Sequence, residues 1–285
     1  MNLIKTDLYA YCQMDRGNHA GGYLTCWNVD TPDAVSRCRR RPAVLILPGG
    51  AYRWNSPREA EPVALRFAAK GYVPFALNYS CAPSCFPTAL REAAMAMLYI
   101  RENAGEFGVN PHMIAAMGFS AGGHLCGTLG TLYDSEEVSD IGSPELIRPD
   151  ALGLCYPVAI SWGRTHEESF DHISGGDPIL RERLSLDRLV RSDMPPVFLW
   201  HTRNDQSVPS RNSLILAHAL EEKNVDFTMH IYRNGPHGLS TADAMVYPAC
   251  NIPQVSWDVP GWLEAEMRFF EEIGFCILDN VEEIG

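Results

Sequence analysis

The 285-residue sequence lacks the features that mark several large classes of protein. Its 35 acidic residues outnumber the 23 basic ones, and the net charge of −12 argues against nucleic acid or an anionic membrane surface as a partner. It has no apolar run long enough to span a membrane, and its first residues contain no apolar core of signal-peptide length. We therefore expect a cytoplasmic protein.

Paired cysteine motifs are missing as well. The nine cysteines are odd in number and scattered, and Cys81 and Cys85 are too far apart for a C-x-x-C pair. No second pair completes a zinc pattern. Cys126 and Cys155 lie in apolar runs, where a free thiol packs as a small hydrophobic side chain. The sequence predicts neither a metal nor an organic cofactor.

The chain also lacks an internal repeat, a low-complexity tract and a Pro/Gly-rich linker. Hydrophobic residues make up 46% and charged residues 20%, as in ordinary globular proteins. Because no linker divides it, we predict a single domain over residues 1–285. Residues 133–190 include polar and irregular stretches followed by a helical pattern at 179–190, and we expect part of this region to form a cap insertion over the sheet.

What the sequence does contain is an alternation of apolar runs and helical patterns. Continuous apolar runs such as residues 43–47 are typical of central parallel strands, which are buried on both faces. Helical patterns at residues 58–70 and from Pro87 onward separate these runs, which gives the order β-α-β-α-β-α. The predicted fold class is α/β, with a mostly parallel central sheet and helices on both faces.

The motif Gly118-Phe119-Ser120-Ala121-Gly122 lies between a short apolar run and apolar residues at helical spacing. Between a strand and a helix, G-x-S-x-G is the pattern of a nucleophile elbow, in which a strained turn exposes the serine hydroxyl above the sheet. A plain turn with Ser120 as a helix cap is the alternative. Residues further along the chain favour the first interpretation.

Two further candidate groups follow predicted strands. Asp205 comes directly after one strand, and His237 lies in the loop after the next. Because the carboxyl ends of parallel strands meet at one edge of the sheet, both are expected near Ser120, in the chain order Ser-Asp-His of the α/β-hydrolase fold. Asp193 and Asp226 precede their strands and are expected at the opposite edge. We therefore predict a Ser120–His237–Asp205 catalytic triad.

With these motifs the chain resembles α/β-hydrolases of the esterase and lipase group, particularly the acetyl-esterase branch that acts on acylated carbohydrates such as acetylated xylan. The resemblance runs from about residue 43 to 270. Its motifs are an oxyanion loop at residues 47–52, an elbow at 118–124, the acid motif at 205–209 and the histidine motif at 235–238. Pro48 and Ala51 depart from the family pattern, replacing its first histidine and third glycine.

The resemblance implies a serine carboxylesterase that removes acetyl or other short acyl groups from a small-molecule or oligosaccharide ester. His237 would take the proton of Ser120, with Asp205 orienting its ring. The N–H groups of Gly50, Ala51 and Ala121 would form the oxyanion hole.

Aromatic residues near these motifs are candidates for other roles. Tyr52, Trp54 and Trp162 are predicted substrate contacts, with simple packing an equal alternative for Trp54. Tyr79 is expected to brace the oxyanion loop, and His124 to pack in the core. A serine peptidase of the same fold and a catalytically silent binding protein stay open as other functions, as does assembly into a homo-oligomer.

Overall fold

The computed structural model describes residues 1–29, 39–248 and 251–279 of the chain. The strands described there are Asn2–Asp7 (β1), Tyr23–Asn28 (β2), Arg39–Leu47 (β3), Val73–Asn78 (β4), Val109–Phe119 (β5), Ala151–Cys155 (β6), Val197–Thr202 (β7), Phe227–Tyr232 (β8) and Leu278–Asp279 (β9). The α-helices in the same residues are Leu8–Tyr11 (α1), Glu61–Ala69 (α2), Thr88–Glu102 (α3), Ala104–Phe107 (α4), Ala121–Leu132 (α5), Pro144–Ile147 (α6), Glu167–Ser174 (α7), Pro178–Arg183 (α8), Leu186–Leu189 (α9), Arg211–Glu222 (α10) and Trp262–Glu272 (α11). None of these helices is long and apolar enough to cross a membrane.

The strands form one sheet in the order β1-β2-β4-β3-β5-β6-β7-β8. The pairs β1–β2 and β2–β4 are antiparallel, and all later pairs along this order are parallel. The short strand β9 pairs antiparallel with the start of β3. The predicted mostly parallel α/β fold is therefore confirmed.

Alternating residues of β3 show that the sheet is covered on both faces. Leu45 and Leu47 belong to one hydrophobic cluster, which includes side chains of α3, α5 and α10. Val44 and Ile46 belong to a second cluster, which includes side chains of α2 and α11. Since successive side chains of a strand point to opposite faces, β3 is buried on both sides, as its continuous apolar run predicts.

The region predicted as a cap differs from its sequence pattern. Instead of one helical stretch over residues 179–190, the structure has the short helices α8 and α9, and α7 forms within the stretch that was predicted to be irregular. Gly175 ends α7 in a left-handed conformation, and the Asp177 side chain caps α8 by accepting from two backbone N–H groups. These local stop and start signals divide the helical pattern into separate helices.

Candidate active site

Ser120 lies in the turn between β5 and α5 with φ 54° and ψ −117°, a backbone conformation that costs energy for any residue except glycine. The turn is tight because its neighbours have no side chains. A Cβ atom on Gly118 would lie 2.0 Å from the Gly122 carbonyl oxygen, and one on Gly122 would lie 2.1 Å from the Leu47 carbonyl oxygen. The glycines thus let the elbow approach the end of β3, which leads into the predicted oxyanion loop.

The structure brings the three predicted triad residues together beyond the carboxyl ends of β5, β7 and β8. His237 Nδ1 lies 2.6 Å from Asp205 Oδ2, and His237 Nε2 lies 2.8 Å from Ser120 Oγ. Because an ionised carboxylate can only accept, Nδ1 carries the proton. The unprotonated Nε2 then accepts the hydrogen bond of the serine hydroxyl, which is the arrangement that a general base requires.

Asp205 is held from two sides. Its Oδ1 accepts from the backbone N–H groups of Ser207 and Val208, each at 2.9 Å, and its side chain has no exposed surface. Burial raises the pKa of Asp205, but hydrogen bonds from His201 and His237 outweigh this and hold the pKa well below its usual range. The carboxylate therefore stays ionised at the pH values where it must orient His237.

His201 supports Asp205, although nothing in its position in the sequence indicates this role. Its ring is fully buried, Nε2 donates to the Val208 carbonyl at 2.8 Å, and Nδ1 accepts from the Ser213 hydroxyl at 2.7 Å. The same Nε2 lies 3.4 Å from Asp205 Oδ2. As a histidine at the end of a strand, it carries no sequence signal that separates this role from simple packing.

The loop after β3 contains two of the three residues predicted to form the oxyanion hole. Gly50 has φ 128° and Ala51 has φ 57°, and both residues line the same cleft as Ser120. Across residues 1–29, 39–248 and 251–279, the backbone N–H groups of Gly50, Ala51 and Ala121 donate no hydrogen bond to the protein. Three donors near the nucleophile are thus left for a substrate oxygen, which is what an oxyanion hole needs.

Side chains from other elements hold this loop. The Tyr79 hydroxyl donates to the Pro48 carbonyl at 2.6 Å, and the buried Glu59 Oε2 accepts from the Gly49 N–H at 2.8 Å. His172, on α7, donates from Nδ1 to the Ala51 carbonyl at 2.8 Å. Tyr79 therefore braces the loop, whereas Glu59 and His172 are contacts that the sequence pattern does not show.

A cleft of about 190 Å³ opens beside Ser120 and His237. Its other lining residues are Gly50, Ala51, Trp54, Ser56, Arg58, Glu59, His166, Glu168, Ser207 and Gly238. Of the predicted substrate contacts, only Trp54 is among them. Burial lowers the pKa of His166, so its ring is neutral at pH 7 and provides a polar wall rather than a charge.

The other two predicted contacts lie elsewhere. Tyr52 is 2% exposed, and its hydroxyl donates to His124 Nδ1 at 2.8 Å beneath the oxyanion loop. The Trp162 indole N–H donates to Asp187 at 3.0 Å, and the Arg211 guanidinium lies over its ring. Tyr52 thus packs in the core, Trp162 lies at the protein surface in the region predicted as a cap, and neither lines the cleft.

His124 lies in the core on α5. Nε2 donates to the Leu184 carbonyl at 2.7 Å and Nδ1 accepts from Tyr52, so both ring nitrogens are satisfied in the neutral form. Burial lowers the pKa of His124 to about 4. No cluster of three or more His, Cys, Asp or Glu side chains arranged to hold a metal ion occurs in the part of the chain that the structure describes.

Comparisons with known proteins find related sequences and similar folds. A family model described as BD-FAE matches residues 32–145, and one of the prolyl oligopeptidase family matches residues 159–250. A crystal structure of an acetyl ester-xyloside bifunctional hydrolase from Caldicellulosiruptor lactoaceticus is 33% identical, with a TM-score of 0.76 over 91% of this chain and 90% of that one. MGS-M1, an α/β hydrolase enzyme from a Medee basin deep-sea metagenome library, is 32% identical, with a TM-score of 0.75 over 96% and 98% of the two chains.

The chain therefore belongs to the α/β-hydrolase family. Among curated relatives, Endo-1,4-beta-xylanase B of Butyrivibrio fibrisolvens is 33% identical over 215 residues, which are 72% of this chain and 33% of that protein. The chain spans between a third and a half of the length of the first curated relatives that it matches.

The acid of the triad can be tested by amide substitution. Asp205→Asn preserves the shape of the side chain but favours the wrong tautomer of His237, so we expect kcat to fall by about 10⁴ if the serine-protease precedent applies. Asp226→Asn is the matched control, because Asp226 precedes β8 at the opposite edge of the sheet. Steady-state kinetics on an aryl acetate measure both variants. A strong loss in Asp226→Asn with an active Asp205→Asn would contradict the assignment.

The buried His124 predicts a pH-dependent stability. Its pKa is about 4 in the folded protein against an ordinary value of 6.5, so between these pH values the unfolded chain binds a proton that the folded protein does not. The free energy of unfolding should therefore fall as the pH drops from 6.5 to 4, by up to roughly 3 kcal/mol from this group.

Denaturant unfolding at several pH values measures this effect. His124→Gln should be less stable at pH 7 but should lose less stability towards pH 4 than the natural protein. His218→Gln removes an exposed histidine on α10 and should retain the natural slope. Equal slopes in all three proteins would show that His124 is not the group responsible.

Proposed function

We propose that this chain is a carboxylesterase that removes short acyl groups, with acetyl preferred, from a sugar or oligosaccharide by a Ser120–His237–Asp205 mechanism. The proposal rests on the hydrogen-bonded chain from Asp205 through His237 to Ser120 Oγ, at 2.6 and 2.8 Å, beside backbone N–H groups that have no acceptor among the described residues. These are a nucleophile, its base and an oxyanion site in one cleft.

The mechanism uses each of these groups in turn. His237 Nε2 takes the hydroxyl proton as Ser120 Oγ attacks the ester carbonyl, and the N–H groups of Gly50, Ala51 and Ala121 stabilise the oxyanion. Each such donor typically lowers the barrier by roughly 3 kcal/mol. The imidazolium gives its proton to the leaving alcohol, which produces an acyl-serine. Water, deprotonated by the same nitrogen, then releases the acid and restores Ser120.

The cleft and the comparisons support a short acyl group and a carbohydrate alcohol. The cleft holds about 190 Å³, and charged and polar side chains such as Arg58, Glu59 and Glu168 outnumber apolar ones along its wall. A cleft of this size favours a short acyl group over a long alkyl chain. The names of the acetyl ester-xyloside hydrolase and the xylanase further suggest acetylated xylan fragments as the substrate class.

A serine peptidase is the second candidate, favoured by the match of the prolyl oligopeptidase family model to residues 159–250. That match covers the Asp205 and His237 loops, whose chemistry esterases and peptidases of this fold share. The cleft offers no feature specific to a peptide. A catalytically silent binding protein is disfavoured because each member of the predicted triad has its hydrogen-bond partner. A cytoplasmic location and a homo-oligomeric state stay predictions.

The length of the acyl chain and the type of bond that is cleaved, ester or amide, distinguish these functions. We expect kcat/KM for p-nitrophenyl acetate and propionate to exceed that for the octanoate by about tenfold or more. The cleft of about 190 Å³ must also hold the reacting ester, and a misfit of the longer chain that costs about 1.4 kcal/mol in the transition state lowers kcat/KM tenfold. An aminoacyl-p-nitroanilide should show no turnover above the Ser120→Ala background. Faster reaction with longer acyl chains would indicate a lipase-like site, and anilide hydrolysis that depends on Ser120 would indicate a peptidase.

A further inference from the structure

A groove leaves the catalytic cleft beside His237. Its middle section, of about 280 Å³, shares Ser207 and His237 with the cleft, and its outer section, of about 510 Å³, shares Asn234 with the middle one. The three spaces thus follow one another from the nucleophile to the protein surface. We refer to the middle and outer sections together as the lateral groove.

We propose that the lateral groove binds the sugar chain that carries the ester, a β-1,4-linked xylo-oligosaccharide extending from the acylated unit. This inference rests on the proposed function and adds to it an extended binding site for an oligomer. The esterase would then prefer acylated oligosaccharides to acylated monosaccharides or disaccharides.

The chemistry of the middle section matches sugar hydroxyls. Asn204, Gln206, Asn234 and Gln254 contribute four side-chain amides there, and Ser207 adds a hydroxyl. Amides both donate and accept hydrogen bonds, as sugar hydroxyls do, whereas a carboxylate or an ammonium group offers only one of these roles. Apart from the catalytic histidine, no titratable side chain lines this section.

Two of these amides are fixed before any ligand arrives. Asn204 Nδ2 donates to Asn234 Oδ1 at 2.5 Å, and the Gly235 N–H donates to Asn204 Oδ1 at 2.8 Å. The Gln254 side-chain amide, by contrast, makes no hydrogen bond with any residue that the structure describes. The section therefore combines rigid polar groups with a free one, and such preorganisation lowers the entropic cost of binding.

The outer section presents an aromatic platform. Trp257 is 92% exposed, the largest exposed fraction among the big hydrophobic side chains described. Its neighbour Ser256 is anchored to Asn234, because the Ser256 N–H donates to the Asn234 carbonyl and Ser256 Oγ accepts from the Asn234 N–H, each at 2.8 Å. Hydrogen bonds of the neighbouring Ser256 therefore hold the backbone that carries the Trp257 indole in place. Its flat apolar face suits the C–H face of a pyranose ring, while its N–H can meet a hydroxyl.

The outer section also contains donors for substituents on the sugar. Arg203 and Arg233 line it together with Asp258, so both signs of charge are present. A peptide would instead need apolar pockets for alternate side chains, and only Val255 and Trp257 in this section are apolar. The lining therefore favours a carbohydrate over a peptide.

The dependence of kcat/KM on chain length tests the groove. With acetylated xylobiose, xylotetraose and xylohexaose, we expect kcat/KM of the natural protein to rise by about tenfold from the shortest to the longest, the equivalent of one good stacking contact. Trp257→Ala should remove this rise, and Trp257→Phe should restore most of it because the ring remains. Leu214→Ala, which truncates another exposed apolar side chain on α10, should retain the natural rise.

The outcomes separate failure of the groove from failure of the proposed function. Turnover of acetylated xylobiose without any rise with length, or a rise that persists in Trp257→Ala, would overturn the groove while leaving the esterase intact. If no acetylated sugar reacts although p-nitrophenyl acetate does, the proposed substrate class fails. The groove is then tested by binding, through the NMR shift of the Trp257 indole N–H in Ser120→Ala. A shift with unacetylated xylohexaose supports the groove, and no shift, or a shift only with a proline-containing tetrapeptide, overturns it.

Discussion

The buried carboxylate of Glu59 joins the loops that must meet for catalysis. Its Oε2 accepts from the Gly49 N–H in the oxyanion loop, and its Oε1 accepts from the Tyr156 hydroxyl at 2.7 Å. The Tyr156 oxygen accepts in turn from the Ser240 N–H, three residues after His237. Loss of the carboxylate would leave two buried donors unpaired, at a cost of about 1–3 kcal/mol each. The position of the predicted oxyanion loop relative to His237 therefore depends on the Glu59 carboxylate, to which the proposed mechanism gives no chemical step.

Two different interactions fix Ser120 and Asp205: close packing of the backbone and electrostatic stabilisation of a buried charge. Close packing of glycine backbone against the ends of β3 and β5 holds Ser120 in its strained conformation, because no Cβ atom fits at Gly118 or Gly122. Electrostatics holds the other end of the triad, where Asp205 stays ionised despite burial because His201, His237 and two backbone N–H groups compensate its charge. The strained backbone of Ser120 and the buried charge of Asp205 are thus both stabilised by contacts with neighbouring residues.

The sequence predicts where the residues of the proposed triad lie, but not the contacts that hold them and the oxyanion loop in place. The parallel order and the convergence of Ser120, Asp205 and His237 follow from local patterns, since each residue ends a strand or follows one. Glu59 and His172 reach the oxyanion loop from elements distant in sequence, and no local pattern signals such contacts. Tyr52 shows the converse problem: it is the last residue of the oxyanion loop, but its side chain is buried against His124 rather than exposed in the cleft.

Ser120 is the proposed nucleophile of this site. The most direct measurement of this role is covalent labelling with a serine-directed fluorophosphonate, followed by mass spectrometry of the proteolysed protein. We expect stoichiometric phosphonylation of Ser120 alone, with loss of esterase activity in proportion to labelling and no label in Ser120→Ala. Label on another serine, or an unlabelled protein that still hydrolyses p-nitrophenyl acetate in the presence of the reagent, would contradict it.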